Sequence, residues 1–223
     1  RNSVCYPKLN VKVAATHAGL TVGEDGASHQ AIEDVSLMRS LPNMTVLVPA
    51  DEEETRQAIA WAAAYQGPVY IRLGRMSVDN VSPEGYVFAP AKAAVLTEGN
   101  DVALIANGVM VMAALEAAKT LAAEGIQARV INMASVKPLD EAAVVSAAKE
   151  TGAIVTCEEH SIIGGLGSAV AEVLAEQAPA PLERVGVKDT FGESGKPKEL
   201  LAKYGLTAAD VAEAARRVVA RKK

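Results

Sequence analysis

The sequence predicts two consecutive α/β domains with mostly parallel sheets. Three observations carry that expectation. Short β-branched runs alternate with Ala-rich stretches of helical period, the pattern of βαβ units. The alternation runs twice, on either side of a break between Met76 and Asn100 that is rich in Pro, Gly and Asn. Half of the 223 residues are hydrophobic but only 4% are aromatic, so aliphatic side chains must build the core. A chain of this length can bury one or two such cores.

The first series begins with a strand over Val11–Ala15. The polar stretch THAGLTVGEDGASHQ (Thr16–Gln30) follows it. Ala31–Leu41 reads as a helix with Ile32, Val35, Leu37 and Met38 apolar, ended by Pro42-Asn43. Thr45–Val48 is a buried-type strand. In PADEEETRQAIAWAAAY, Asp51 can cap a helix and Glu54 completes a capping-box-like pair. Acidic residues in that first turn complement the helix dipole. Gly67-Pro68 breaks the helix, and Val69–Leu73 is the next strand. The expected organisation is a first domain over 1–80, a linker over 81–100 with one strand near Ala93–Leu96, and a second domain over 101–223. In the second domain, strands are predicted at Val102–Ala106, Ala128–Asn132, Ala153–Cys157 and Leu182–Val187. Helices are predicted at Met112–Glu124, Glu141–Thr151 and Gly167–Gln177, and Thr207 to Asp210 opens a last one.

Charge and cysteine usage exclude several classes. The formal charge is -5, and nucleic acid as main partner needs a clustered basic surface. The basic end ARRVVARKK is better explained as cations closing a helix. Cys5 and Cys157 suggest no disulfide framework, and Cys157 reads as a buried thiol. No segment reaches the ~18 apolar residues of a membrane span. No signal peptide is recognisable, so the expected location is cytoplasmic.

Open α/β sheets bind ligands beyond the carboxyl ends of their strands, which is where Thr16–Gln30 lies. The stretch holds His17, Asp25 and His29, residue types that suit zinc, but at no metal-ligand spacing. It is no phosphate loop, because GxxxxGK[ST] is absent. Its glycines permit close approach to a ligand. In VYIRLGR, Arg75 lies past the strand end and could take a phosphate in bidentate fashion. Arg72, within the strand, is the alternative, and for either arginine a surface ion pair is the plainer reading. EEHSIIGGLGSAV (158–170) follows a strand and opens a helix, but Val170 stands where a dinucleotide loop needs its third glycine. Close packing of a helix start is favoured there, with a structural or interface role for His160.

Taken together, these residues resemble a known family. VGEDGASHQAIEDVSLMRSLPNMTVLVPAD (22–51) resembles the pyrimidine-binding domain of transketolases, the thiamine-diphosphate enzymes that move two-carbon ketol units. VKPLDEAAVVSAAKETGAIVTCEEHSIIGGLGSAV (136–170) resembles their C-terminal domain. The likeness runs in order over essentially the whole chain and is strongest to the C-terminal subunit of split transketolases. It implies that His17 bonds substrate hydroxyls, that Asp25 contacts a ketose hydroxyl, and that His29 lies beside the cofactor's aminopyrimidine and can help proton transfer. Arg75 would hold the sugar phosphate, with Arg72 as the alternative. Catalytic roles would thus fall to His17 and His29.

The resemblance also implies what must come from elsewhere. The family's catalytic glutamate and the aromatic residues on the pyrimidine ring belong upstream of Arg1, so the first domain is expected to be incomplete at its N-terminus. The diphosphate and its magnesium belong to a domain with a GDG…N motif. The expectation is therefore a transketolase component, inactive alone. It pairs with an N-terminal subunit in a homodimeric or heterotetrameric assembly and serves the pentose phosphate pathway. The alternatives are a non-catalytic assembly module and a related synthase with pyruvate as donor.

Overall fold

The computed structural model describes residues 1–222, which leaves Lys223 of the basic end outside the described residues. Two sheets form. The first has the order β1 (Lys12–Ala15), β3 (Val69–Arg72), β2 (Thr45–Leu47), β7 (Ser135–Lys137). The second has the order β4 (Ala94–Thr97), β6 (Ala128–Asn132), β5 (Val102–Ala106), β8 (Ile154–Ser161), β9 (Leu182–Val187). Neighbours are parallel except at one edge of each sheet, where β7 runs against β2 and β4 against β6. This is the two-sheet, mostly parallel α/β architecture expected. β4 forms close to where a strand was predicted within residues 81–100, and it takes an edge of the second sheet.

Alternation along each strand divides the core. Val46 and Leu47 are both fully buried but enter different clusters on the two faces of the first sheet. Leu104 and Ile105 do the same in the second. One face of the second sheet packs on α3 (Met110–Ala123) and α7 (Ala208–Val219), through Val111, Leu121, Val211 and Val218 among others. The other face packs on α4 (Glu141–Thr151) and α5 (Leu166–Gln177). Alanines on these helices let them approach the sheet closely, which is how a core with few aromatics fills.

Four elements differ from expectation, each for a local reason. The first helix, α1, spans only Asp34–Arg39. Ahead of it the backbone is engaged elsewhere: Ala31 O accepts Gly19 N–H (2.8 Å) and Ile32 O accepts Ser161 N–H (2.7 Å). β8 runs on to Ser161, so Glu158, Glu159 and His160 lie on a strand and not in a loop. β7 and α6 (Pro197–Lys203) escaped prediction because both are short. For α6, Pro197 at the first turn and Gly205 beyond the end were usable signals.

The two halves are stitched together through buried polar side chains as well as through β7. Asp51 caps α2 (Glu52–Ala64) by accepting Glu54 N–H at 2.8 Å. Its other oxygen accepts Val81 N–H (2.8 Å) and Ser82 N–H (2.7 Å). The capping-box partner reaches one residue further back than predicted: Glu54 accepts Ala50 N–H at 2.7 Å. Glu54, fully buried, also accepts Asn132 Nδ2 from β6 (2.9 and 3.0 Å) and the Tyr86 hydroxyl. The basic end is likewise tied down, with Arg216 on Glu124 (2.7 Å) and Arg221 on Glu183 (2.8 Å).

Asp51→Ala removes a helix cap and orphans two further amides. It is expected to lower unfolding free energy by about 2–4 kcal/mol, more than loss of a cap alone. Urea denaturation measures this, and a loss below about 0.5 kcal/mol would contradict the assigned role.

Candidate functional site

The Thr16–Gln30 loop leaves the carboxyl end of β1 beside the carboxyl end of β3, as an α/β ligand loop should. Leu73 binds it at the base: Leu73 N–H donates to Ala15 O (3.1 Å) and Ala18 N–H to Leu73 O (3.2 Å). Beyond that the loop has two sides. Ala18, Leu20, Thr21, Val22, Gly26 and Gln30 are buried, whereas His17, Glu24, Asp25, Ser28 and His29 are exposed. A short 3-10 segment, Leu20–Asp25, makes the turn.

What covers the buried side is the C-terminal half. Gly19 has φ +84, and a Cβ there would stand 2.4 Å from the Glu159 carboxyl carbon. Gly26 has φ +76, and its Cβ would stand 2.6 Å from Ser194 Oγ. Both positions therefore need glycine twice over, for conformation and for close approach. Glu159 Oε1 accepts Thr21 N–H at 2.6 Å. Gln30 Nε2 donates to Leu20 O (3.2 Å) and to Glu193 O (2.9 Å).

Of the four residues assigned to the site, Arg75 and Asp25 are in contact, and His17 and His29 are exposed on the same loop as Asp25. His17 has φ +70, a left-handed conformation that histidine tolerates better than most residues, and its Nδ1 lies 2.8 Å from Thr16 Oγ1. His29 Nδ1 lies 3.0 Å from Ser28 Oγ. Neither Nε2 bonds to any described residue, so both rings present a free nitrogen outward. Arg75 donates from Nη1 to Val22 O (2.6 Å) and lies 3.4 Å from Asp25 Oδ2. That pair is about half exposed (45% and 50%), so it is weakly held and open to competition by a ligand. Beside Arg75 lies a cleft of about 400 Å³ lined by Thr16, Asp51, Thr55, Gly74 and Val109 among others.

Arg72 does not join this set. It is buried beneath the loop, where Nε donates to Asp34 Oδ2 (2.9 Å) and Nη2 to Ala31 O (3.1 Å) and Glu159 O (2.9 Å). Their places in the chain explain the split, since Arg72 lies within the strand and Arg75 beyond its end. Asp34 also accepts the Tyr70 hydroxyl (2.6 Å), and Asp34 together with burial pushes that phenol well above its ordinary range. Arg72 is thus a structural cation with carboxylates on both sides.

The EEHSIIGGLG stretch is a packing device. Glu158 accepts Leu166 N–H (2.7 Å) and Gly167 N–H (2.8 Å), which caps α5 from the strand. A Cβ at Gly165 would stand 2.0 Å from Glu158 Oε2. Burial pushes the Glu158 carboxyl up to about 7 against these two amides. His160 Nδ1 lies 2.7 Å from Ser161 O, and His160 Nε2 accepts Ser36 N–H (3.3 Å), an arrangement only the neutral ring makes. Burial and the Arg72 cation hold it below its ordinary value. The buried Cys157 thiol is pushed up out of reactive range.

Comparison with known proteins identifies the family. Residues 1–80 match the model of the transketolase pyrimidine-binding domain, and residues 91–211 that of the transketolase C-terminal domain. A 6-deoxy-6-sulfo-D-fructose transketolase subunit, SqwH, of Clostridium sp. (strain MSTE9) is 49% identical over 99% of this chain and 68% of its own length. A 1-deoxy-D-xylulose-5-phosphate synthase of Geobacter sulfurreducens is 40% identical over 99% of this chain and 35% of its own length. A solved split-gene transketolase, described as an inactive β4 tetramer, is 59% identical with a TM-score of 0.94, covering 100% of this chain and 71% of that one. The chain belongs to the transketolase family. Membership implies dependence on thiamine diphosphate.

The residues present fit one wall of a site for that cofactor. His17, Asp25 and His29 are exposed on one loop at a strand end, and Arg75, paired with Asp25, lines a cleft together with Thr16. Among the described residues, no three His, Cys, Asp or Glu are grouped to hold a metal ion. No helix among them is long and apolar enough to cross a membrane.

Sequence reading missed the support beneath this rim: Glu159, and the segment around Ser194 that covers Gly26. Two glutamates and a histidine inside an otherwise apolar strand were the available signal for the first. The glycines of FGESG were the signal for the second.

The neutral His160 ring has a consequence for acid stability. An unfolded histidine titrates near 6.5 and this one titrates lower, so below about pH 6.5 the unfolded chain takes up the extra proton. Stability from this group is complete above that pH and is lost as pH falls toward the folded value. Subtracting the pH profile of His160→Gln from wild type, by urea unfolding between about pH 7.5 and 5.5, should leave that decline. A flat difference would contradict the neutral-ring assignment.

Proposed function

We propose that this chain is a component of a thiamine-diphosphate-dependent transketolase, transferring a two-carbon ketol unit between phosphorylated sugars, as in the pentose phosphate pathway. The observation that carries this reading is the loop that exposes His17, Asp25 and His29 at a strand end, with Arg75 paired to Asp25. In this reading the chain works in the cytoplasm with an N-terminal subunit that supplies the diphosphate and magnesium domain. The active assembly is a dimer of such pairs or a homodimer of the joined halves. The split-gene relatives support a partner of that kind.

Thiamine diphosphate, when bound, supplies a nucleophilic carbon and an electron sink for the two-carbon unit. The residues of this chain bind and orient. His17 and Asp25 take hydroxyls of the ketose near the reacting carbon, where imidazole can donate or accept and a carboxylate accepts. His29 stands by the aminopyrimidine and holds or passes a proton at its free nitrogen. Arg75 exchanges Asp25 for the anionic end of the sugar, because a dianion within reach of two guanidinium donors outcompetes a half-exposed carboxylate. That exchange also frees the Asp25 oxygens for a substrate hydroxyl. The relative named for a sulfosugar supports a guanidinium that accepts either terminal anion. The related synthase supports a pyruvate-using alternative, in which Arg75 would serve the acceptor.

Two measurements test the reading. The intact subunit, mixed with an N-terminal subunit, thiamine diphosphate and magnesium, is expected to transfer ketol units from xylulose 5-phosphate, whereas it is not expected to do so alone. No transfer in any such mixture sinks it. Arg75→Ala is expected to lower kcat/KM for a phosphorylated donor about 10- to 100-fold and to leave an unphosphorylated ketose almost unaffected. Equal losses on both donors would remove Arg75 from anion recognition. If His17→Ala and Asp25→Ala leave the assembled activity unchanged, the loop is scaffolding only.

A further inference from the structure

Thr21 is fully buried, and its N–H donates across the seam to Glu159 Oε1 at 2.6 Å. Glu159 belongs to β8, in the C-terminal half, and is itself 3% exposed. Its carboxyl group lies against Gly19, where a Cβ would stand within 2.4–2.5 Å of its three atoms. The same residue holds Arg72 twice, by its carbonyl oxygen on Nη2 (2.9 Å) and by Oε2 facing Nη1 (4.0 Å). Arg72 in turn is fixed by Asp34 at 2.9 Å. One side chain from the second half therefore meets the loop at the turn between His17 and Asp25 and locks onto the strand that leads to Arg75. Val22, next to Thr21, offers its carbonyl to Arg75 at 2.6 Å. A displacement at Thr21 therefore reaches Asp25 and Arg75 together.

We propose that Glu159 is the positioning residue of the His17–His29 loop: a group of the C-terminal half that sets the substrate-facing rim without touching substrate. The role gives the second half a part in the reaction beyond assembly. Its kinetic consequence rests on the functional reading above, but its structural consequence does not. What matters is reach. Glutamine keeps an acceptor oxygen at the same distance from Thr21 N–H. Aspartate keeps the charge toward Arg72 but withdraws the carboxylate by one methylene. A charge role and a positioning role thus predict opposite orders for the two variants.

The test is hydrogen–deuterium exchange on the full chain for wild type, Glu159→Gln, Glu159→Asp and Glu159→Ala. Peptides covering residues 16–30 are expected to exchange like wild type in the Gln variant and at least about 10-fold faster in the Asp and Ala variants. Peptides over α3 should not change. An Asp variant that protects the loop like wild type overturns the proposal, and this arm decides even if the Ala variant does not fold. In the assembly with partner and thiamine diphosphate, Glu159→Asp is expected to raise the donor KM about 10-fold while Glu159→Gln stays near wild type. An unchanged donor KM in the Asp variant also overturns it. If the wild-type assembly transfers no ketol unit, the functional reading fails and the exchange experiment still decides the role of Glu159.

Discussion

Everything at the exposed rim depends on a contact beneath it that has no room for a Cβ. The turn of the Thr16–Gln30 loop lies against the C-terminal half so closely that Gly19 meets the Glu159 carboxyl group and Gly26 meets Ser194. The GEDG run is usually the part of such a loop that draws attention, because its carboxylates are visible in the sequence. Here its glycine matters as much as its aspartate. Without that approach the loop would lose its floor, and the two histidines would sit on a flexible connection with a large entropy to lose on binding a ligand.

The floor is polar, which is costly unless every group is paired. Arg72 is the centre of that pairing. A buried guanidinium has Asp34 beside it, two carbonyls in hydrogen-bond reach and Glu159 further off, so that loss of Asp34 would leave its charge stranded. An apolar seam could hold the halves together with equal strength. It would not fix the loop at one register, because apolar contacts are non-directional. Burial, with the nearby Arg72 cation, keeps His160 neutral, and its Nε2 accepts Ser36 N–H from the first half. The same seam explains why the second half of this chain cannot be regarded as a separate unit. It contributes β7 to the first sheet, Asn132 to the buried Glu54 and Glu159 to the loop.

Much of the fold was legible because the signals were local and repeated. The caps at Asp51 and Thr207, the β-branched runs and the Ala-rich helices each state their own structure, and the strand-end position of His17, Asp25, His29 and Arg75 follows from the order of elements alone. The distinction between Arg72 and Arg75 was legible in part, since strand alternation separates them, but which one faces inward depends on Asp34 and Glu159, far away in sequence. The length of β8 was hidden because Glu158, Glu159 and His160 look like loop residues. They are tolerated on a strand only because amides of α5, the loop and α1 satisfy them. β7 was hidden because three residues carry no period.

The close approach of Gly26 to Ser194 ties the loop to the segment that covers it, so the two should open as one cooperative unit. Native-state hydrogen exchange along a denaturant series measures this directly, by comparing amides of residues 16–30 with amides of residues 189–197 in the full chain. Both sets are expected to open with the same free energy and the same denaturant dependence. A loop that opens at lower denaturant while residues 189–197 stay protected would contradict it.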